Sequence, residues 1–259
     1  MMKKTALITG ASSGIGKEFA QIHAEKGGDL IIIARSEDKL NGIKMEMEEK
    51  YKINVFVIPK DLSTPNAAKE IYQQVTNANL KVDYLINNAG FGGLGKFHER
   101  ELDQDIAMIN LNVIALTALT HYFLQDFTKN NTGKILNVSS TASLMAGPLQ
   151  AVYYATKAYV TSFSNAIAEE LSGTNITVSN LMPGATESEF GRISGMDKTE
   201  MFQKPASARN VAEDGYHGMI EGKLDILGGL TFGQKSMFKV IPFLPKKMLL
   251  KQVKKMQDV

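Results

Sequence analysis

The chain has 259 residues, 44% of them hydrophobic and 22% charged, with a net charge of +2. That length buries a large core in one α/β domain, and the near-neutral balance gives no electrostatic basis for nucleic-acid binding. The absence of cysteine excludes disulfides, thiolate metal sites and thiol nucleophiles, and it fits a cytoplasmic protein.

Residues 3–9 are a short, mostly apolar run leading into Gly10-Ala11-Ser12-Ser13-Gly14-Ile15-Gly16 and a helical pattern over 17–26. No apolar stretch of signal-peptide length precedes it, and no segment reads as long and apolar enough to span a membrane. Without a Cβ, glycines let the backbone turn tightly and approach a pyrophosphate, which the following helix N-terminus meets with unpaired N–H groups. The spacing Gly-x-x-x-Gly-x-Gly also occurs in plain turns. Residues 30–34, LIIIA, read as a second buried strand ending at Arg35, and Ser36, Glu37 and Asp38 open a helix to about residue 51. The group just after this strand selects the dinucleotide: a carboxylate accepts from a ribose 2′-OH, a cation accommodates a 2′-phosphate. Arg35, with Ser12 and Ser13 in the glycine loop, favours NADP(H) over NAD(H). Glu37 and Asp38 stand near the place of a ribose acid, but acids in a first turn after a serine N-cap suit the helix dipole better.

A third strand over 55–58 leads to Asp61-Leu62-Ser63 and a helix over 65–78, placing Asp61 to meet an adenine or to cap the next loop. The fourth strand, 82–86, stops at Asn87-Asn88-Ala89-Gly90, a turn whose amides must be satisfied internally while its backbone passes close to something. Residues 90–95 are glycine-rich and read as a rim, and a mostly apolar helix over 102–127 carries Asn110 and Asn112. The fifth strand, 133–138, delivers Ser139 and Ser140 to its C-terminal end. The helix over 151–171 then carries Tyr153 and Lys157 one turn apart, so a phenol and an ammonium share a face. A fixed cation favours phenolate and moves the phenol from ~10 toward neutrality, where general acids are efficient. The same spacing is also common on amphipathic helices without any such role.

The sixth strand, 174–181, is stopped by Pro183-Gly184, and periodicity then fails over 185–205, as in a lid or binding loop. A helix over 207–221 and an apolar run over 224–227 follow. Strands alternating with helices throughout predict one domain, 1–259, built on a doubly wound parallel sheet of about seven strands. In the tail, 231–259, Ile241, Phe243, Leu244, Met248, Leu249, Leu250 and Val253 mix with Lys239, Lys246, Lys247, Lys251, Lys254 and Lys255. Such a segment lies on an anionic membrane surface or, the commoner arrangement and the one expected here, covers the sheet or a neighbouring subunit. Seven of the thirteen methionines stand at or beyond Met182, either lining an apolar pocket or filling gaps in the core. His23, His98, His121 and His217 lack metal-ligand spacing, so no metal site is assigned.

Thr9-Gly10-x-x-x-Gly14-x-Gly16, Asn87-Asn88-Ala89-Gly90, Ser140, Tyr153-x-x-x-Lys157 and Pro183-Gly184 occur in the order and spacing of the short-chain dehydrogenases/reductases. Over about residues 3–184 the chain resembles that family. The family separates its serine and tyrosine by thirteen positions, which selects Ser140 and Tyr153 over Ser139, Ser143 and Tyr154. Asn112 is preferred to Asn110 as the family's asparagine because Ala115 then falls where the family has a small residue. The resemblance implies an NADP(H) surface of Gly10, Ser12, Ser13, Gly14, Ile15, Gly16, Arg35, Asp61, Leu62, Asn88, Ala89 and Gly90. Tyr153, Lys157, Pro183, Gly184, Thr186 and Ser188 complete it, Ser188 standing where many members have threonine and Thr186 being the nearer alternative.

The activity implied is hydride transfer between nicotinamide and a carbonyl or secondary alcohol, reductive on an apolar ketone or acyl-type substrate. Ser140 would steady the oxyanion, Tyr153 supply the proton, Lys157 hold the ribose and Asn112 help to hold a proton-relay water. A dinucleotide-binding regulator on the same fold is the alternative, but it would not need all four residues. An epimerase or dehydratase of the extended relatives is weaker still, since those chains are usually longer and lack the Asn-Asn-Ala-Gly turn. The helices over 102–127 and 151–171 would suit a homodimer or homotetramer.

Overall fold

A computed structural model describes residues 3–258 apart from the side chains of Met201, Lys239 and Pro242; Met1, Met2 and Val259 of the predicted domain lie outside the described residues. The strands are β1 (Thr5–Thr9), β2 (Asp29–Ala34), β3 (Val55–Pro59), β4 (Tyr84–Asn87), β5 (Gly133–Val138), β6 (Ile176–Pro183) and β7 (Asp225–Gly228). They form one sheet in the order β3-β2-β1-β4-β5-β6-β7, and every pairing is parallel. The helices between them are α1 (Gly14–Glu25), α2 (Glu37–Tyr51), α3 (Ala67–Asn77), α4 (Leu102–Ile109), α5 (Leu116–Asn130), α6 (Ala151–Glu170), α7 (Glu189–Ser194) and α8 (Ala208–Glu221). After β7 come α9 (Phe232–Val240) and α10 (Lys246–Gln257).

Both faces of the sheet are covered, which is why its central strands are continuously apolar rather than alternating. Along β1 and β2, Ala6, Ile8, Leu30 and Ile32 pack with Phe19, Leu40 and Tyr216 of α1, α2 and α8. Leu7, Ile31 and Ile33 turn to the other face and meet Ile71, Phe123 and Phe127 of α3 and α5. Each fully buried large side chain of this kind contributes about 1.5–3 kcal/mol. Gly215 lets α8 approach: a Cβ there would lie 2.7 Å from Leu181 Cδ2 and 3.0 Å from Phe19 Cζ. The winding reverses between β1 and β4, opening a crevice at the strands' C-terminal ends.

Strand ends shift by up to two residues from the sequence reading, so Asn87 and Pro183 belong to strands. The helix expected over 102–127 is α4 and α5 joined by a π-helical segment, Asn110–Ala115. Contrary to expectation, this continuous run, Leu102–Asn130, is by length and composition long and apolar enough to cross a membrane. One face of it packs on the core, with Leu116, Leu119, Phe123 and Phe127 buried, while Leu102, Ile106 and Ile114 are exposed. The stretch without periodicity contains α7, capped by Ser188, whose Oγ accepts from the Phe190 N–H at 3.3 Å.

The tail does not cover the sheet. Thr231 and Gln234 start α9 with a reciprocal capping box, and α10 lays Leu249 and Val253 on Met108, Ala142, Tyr153 and Tyr154, above the strand ends. Leu249, Val253 and Gln257 recur every fourth residue, giving α10 one inward face that matches this apolar wall.

Candidate active site

A cavity of about 950 Å³ occupies the crevice. At its floor the glycine turn is folded back on the β4 turn. Thr9 Oγ1 accepts from the N–H groups of Asn88 and Ala89, both at 2.9 Å, and Asn88 Nδ2 donates to Thr9 O at 2.9 Å. A Cβ on Gly16 would sit 2.2 Å from Gly10 O, and one on Gly14, at φ +51°, would sit 2.9 Å from Ser188 Cβ. The N-cap Ser13 makes no side-chain cap, so it satisfies none of the first N–H groups of α1. A glycine cradle with free helix donors fits the pyrophosphate of a dinucleotide.

Ser12, Ser13, Arg35, Asp61 and Leu62 line the same end of the cavity, whereas Glu37 and Asp38 are exposed on α2 and do not. Asp61 caps its own loop, accepting from Ser63 N–H at 2.9 Å and Ser63 Oγ–H at 2.6 Å. Burial alone would raise its carboxyl; these hydrogen bonds and the Arg35 guanidinium hold it below the usual value. Lys39, in the first turn of α2, also lines the cavity and pairs with Glu189 at 3.5 Å. A lysine in the first turn of a helix carries no signal of this in the sequence, and Lys39 was not singled out there.

Ser140, Tyr153 and Lys157 meet where β5 ends against α6, all lining the cavity. Ser139 is spent on structure, its Oγ bonded to Lys157 O and Thr161 Oγ1, both at 2.8 Å. Ser140 Oγ instead accepts from the Ala142 N–H at 3.1 Å at the cavity wall. Lys157 Nζ donates to Val138 O at 2.8 Å and stands 5.8 Å from the centre of the Tyr153 ring. Both groups are buried, and burial decides their titration. It pushes the Tyr153 phenol up to about 12, a rise that the Ser140 hydroxyl opposes by hydrogen bonding, and pulls the Lys157 amine down to about 8. The direction is thus opposite to the lowering expected from the neighbouring lysine, burial being the largest cause for both groups.

Asn112 is buried in the π-helical segment. Its Nδ2 donates to Phe91 O at 2.9 Å and Thr156 Oγ1 at 3.1 Å, and its Oδ1 accepts from the Phe91 N–H at 3.1 Å. A Cβ on Gly90 would lie 3.0 Å from Asn112 Oδ1 and 3.4 Å from Lys157 Nζ, so the glycine leaves room for the two to approach. Asn110 is only half buried and does not line the cavity. Beneath the site, Asn87 Nδ2 donates to Asn137 Oδ1 at 2.9 Å, and Asn137 Nδ2 to Ser164 Oγ at 2.9 Å. This buried chain fixes α6 to β4 and β5; Asn137 and Thr156 were not singled out from sequence, where a lone polar residue in a strand or helix carries no signal.

Beyond the reactive groups the cavity turns apolar. Pro183 and Gly184 form its edge, Thr186 Oγ1 donates to Gly184 O at 2.9 Å, and Ser188 is the residue against the glycine turn. The Phe190 ring lies 5.3 Å from that of Tyr153, and Phe202 stacks behind it. Met145, Met196, Met237 and Met256 line this end, while Met182 and Met219 fill the core, so both readings of the methionines apply to different residues. Tyr154 also lines the cavity, but its hydroxyl is engaged, accepting from Gln257 Nε2 at 2.6 Å. Among the described residues no group of three or more His, Cys, Asp or Glu is placed to hold a metal.

The short chain dehydrogenase family model matches residues 4–198. The chain is 34% identical to an NADP-dependent 3-hydroxy acid dehydrogenase of Schizosaccharomyces pombe, over 81% of this chain and 84% of that one. It is 32% identical to the very-long-chain 3-oxoacyl-CoA reductase of Mus musculus, over 78% of this chain and 66% of the relative. A solved short-chain dehydrogenase from Sphingobium yanoikuyae in complex with NADPH superposes with a TM-score of 0.83 at 27% identity, covering 90% of this chain and 91% of its own. Sheet, glycine cradle and the meeting of serine, tyrosine and lysine agree with these likenesses: the chain belongs to the short chain dehydrogenase family and is an oxidoreductase of that type.

Proposed function

We propose that the protein is an NADP(H)-dependent carbonyl reductase or alcohol dehydrogenase that works in the reductive direction on an apolar ketone or acyl-type substrate. The observation that carries this reading is one cavity with Arg35 and Lys39 at one end, Ser140, Tyr153 and Lys157 in the middle, and Met145, Phe190 and Val253 at the other. The cationic end suits a 2′-phosphate, and the NADP-dependent relative is consistent with it. When bound, the nicotinamide supplies the hydride.

In this reading Tyr153, whose phenol burial favours in the protonated form, gives its proton to the carbonyl oxygen. Ser140 Oγ–H stabilises the negative charge developing on that oxygen. Lys157 carries its charge below about pH 8 and sits beside Gly90 and Asn112, placed to hold ribose hydroxyls and to favour the phenolate left behind. The Asn112 carboxamide has three protein bonds and keeps the Phe91 turn and the π-helical segment together beside the lysine. The apolar end excludes water and receives the substrate body. Exposed Leu102, Ile106 and Ile114 would suit a homodimer or homotetramer.

The test is NADPH consumption by the purified protein against carbonyls ranging from diketones to long-chain ketoacyl thioesters, with Tyr153→Phe in parallel. Turnover lost in the variant is expected. Tight NADPH binding with no turnover across the panel would favour the regulator, and a preference for NADH would overturn the cofactor assignment.

A further inference from the structure

Charge is segregated along this chain. Residues 230–259 hold seven lysines and one carboxylate, Asp258, so that residues 1–229 carry a net −4 although the whole is +2. The structure shows what the basic segment does with its two faces. The inner face of α10, Leu249, Val253 and Gln257, is committed to the wall above Tyr153 and Tyr154. The outer face presents Lys247, Leu250, Lys251 and Lys254 to solvent, and among the described residues none of these lysines has a carboxylate within ion-pair distance. Beside it, in the turn that joins α9 to α10, Phe243 is 85% exposed; Phe232, at the start of α9, is 87% exposed. Val240, Met237 and Met248 are also more than half exposed.

Large apolar side chains held in water next to unpaired lysines are costly for a surface that faces only solvent. The same combination is what an anionic bilayer rewards: lysines at the headgroup phosphates, aromatic and aliphatic side chains in the acyl boundary. The location adds a second argument. Met237 and Phe238 of α9, Leu244, and Leu249, Gln252 and Met256 of α10 line the apolar end of the cavity, so α10 forms both part of the cavity wall and the exposed basic face.

We propose that the outer face of α9 and α10 docks the protein on the surface of an anionic lipid bilayer, with the apolar end of the cavity beside the lipid. The acidic remainder of the molecule is repelled by such a surface, so the tail also fixes the orientation of approach. The packed helix expected from sequence and the membrane contact set against it are two faces of one element.

The test uses the full chain, because removing α10 would strip the wall from the active site. Sedimentation is measured with mixed phosphatidylcholine–phosphatidylglycerol vesicles and with pure phosphatidylcholine vesicles, at low and high salt. A triple variant, Lys247→Glu, Lys251→Glu and Lys254→Glu, and Phe243→Ser are run alongside, with thermal melts to show that each is folded. Binding to the mixed vesicles alone is expected, reduced at least about tenfold by salt, abolished in the triple variant and weakened in Phe243→Ser. No binding at low salt, equal binding to pure phosphatidylcholine, or binding untouched by the lysine changes would overturn the proposal. So would a dimer that either variant dissociates, since the face would then belong to a second copy. Vesicle binding does not depend on turnover, so this proposal and the reductase reading fail separately.

Discussion

Gln257 donates a 2.6 Å hydrogen bond from Nε2 to the hydroxyl of Tyr154, fastening the last turn of α10 to α6 one residue after Tyr153. The two adjacent tyrosines thus have different tasks. Tyr153→Phe is expected to lower the rate of reduction by about 10²–10⁴-fold with NADPH still bound. Tyr154→Phe should leave that rate within about tenfold while raising the proteolytic sensitivity of α10, through loss of one buried hydrogen bond of about 1 kcal/mol. Steady-state kinetics and limited proteolysis on the pair decide it; a dead Tyr154→Phe beside an active Tyr153→Phe would exchange their roles.

Lys157 is held at the active site at a cost in stability. Burial pulls its amine from 10.5 down to about 8, so the folded protein releases the proton before the unfolded chain does. The penalty is complete below about pH 8, where both states are charged, and is relieved as pH rises from about 8 to 10.5. Lys157→Met should therefore stabilise the fold near neutrality by ~2–3 kcal/mol after allowing for the lost bond to Val138 O, with little gain at pH 10, and should lose turnover. Wild-type reduction should decline as pH passes about 8 and the ammonium is lost. Melting curves at two pH values with a pH–rate profile measure both effects; an unchanged melting temperature at neutral pH would show that the amine carries no penalty.

Cofactor preference is expected to rest on two cations rather than one. Arg35→Asp should weaken NADPH by about 10–100-fold with a much smaller effect on NADH, the range for loss of charge-assisted hydrogen bonds. Lys39→Glu should shift preference in the same direction by less, because Lys39 is shared with Glu189. Binding titrations with the two dinucleotides give the ratio directly. An unaltered ratio in both variants would place the 2′-phosphate elsewhere.

His23 makes the fold sensitive to acid. It is a buried residue of α1 that reaches α8, with Nε2–H donating to Lys4 O at 2.9 Å and Nδ1 accepting from the Tyr216 hydroxyl at 2.8 Å. Burial lowers its pKa below 6.5, so the neutral ring stabilises the native state above 6.5 and that contribution is lost as pH falls through the lowered value. His23→Gln should be less stable at neutral pH but flatter in its stability below about 6.5. Chemical denaturation across pH 5–8 reads the slope; parallel slopes would assign the acid sensitivity to other groups.

The sheet was legible because a parallel strand buried on both faces needs an unbroken apolar run, and LIIIA has no other use in a chain of this type. Strand ends were legible to within two residues through Gly10, Asn88 and Gly184, the residues that directly follow β1, β4 and β6. The π-helical segment was not, because its widening at Asn112 depends on partners from Phe91 and Thr156 rather than on local propensity. Nor was α7, whose six residues are too few to show a period and are held by the Ser188 cap and the aromatic contacts of Phe190. The motif positions Ser140, Tyr153 and Lys157 lie together, but burial raises the Tyr153 phenol where the sequence implied lowering, since burial is a property of the whole fold. The tail was legible as an apolar and basic mixture; which of its residues face inward, Leu249, Val253 and Gln257, was set by the surface that receives it.

The strand order β3-β2-β1-β4-β5-β6-β7 makes the molecule a record of its own synthesis. By residue 90 the chain has supplied β1 to β4 and both halves of the clamp between Thr9 and Asn88, while the helices that complete the cover of this ladder, α5 and α8, come later. Ser140, Tyr153 and Lys157 do not yet exist at that stage. Each later strand then adds to an edge already formed, β5 on β4, β6 on β5 and β7 on β6, and α10 closes the cavity last. A chain emerging from its N-terminus can thus build the dinucleotide cradle as a template and lay the reactive half onto it in the order of translation.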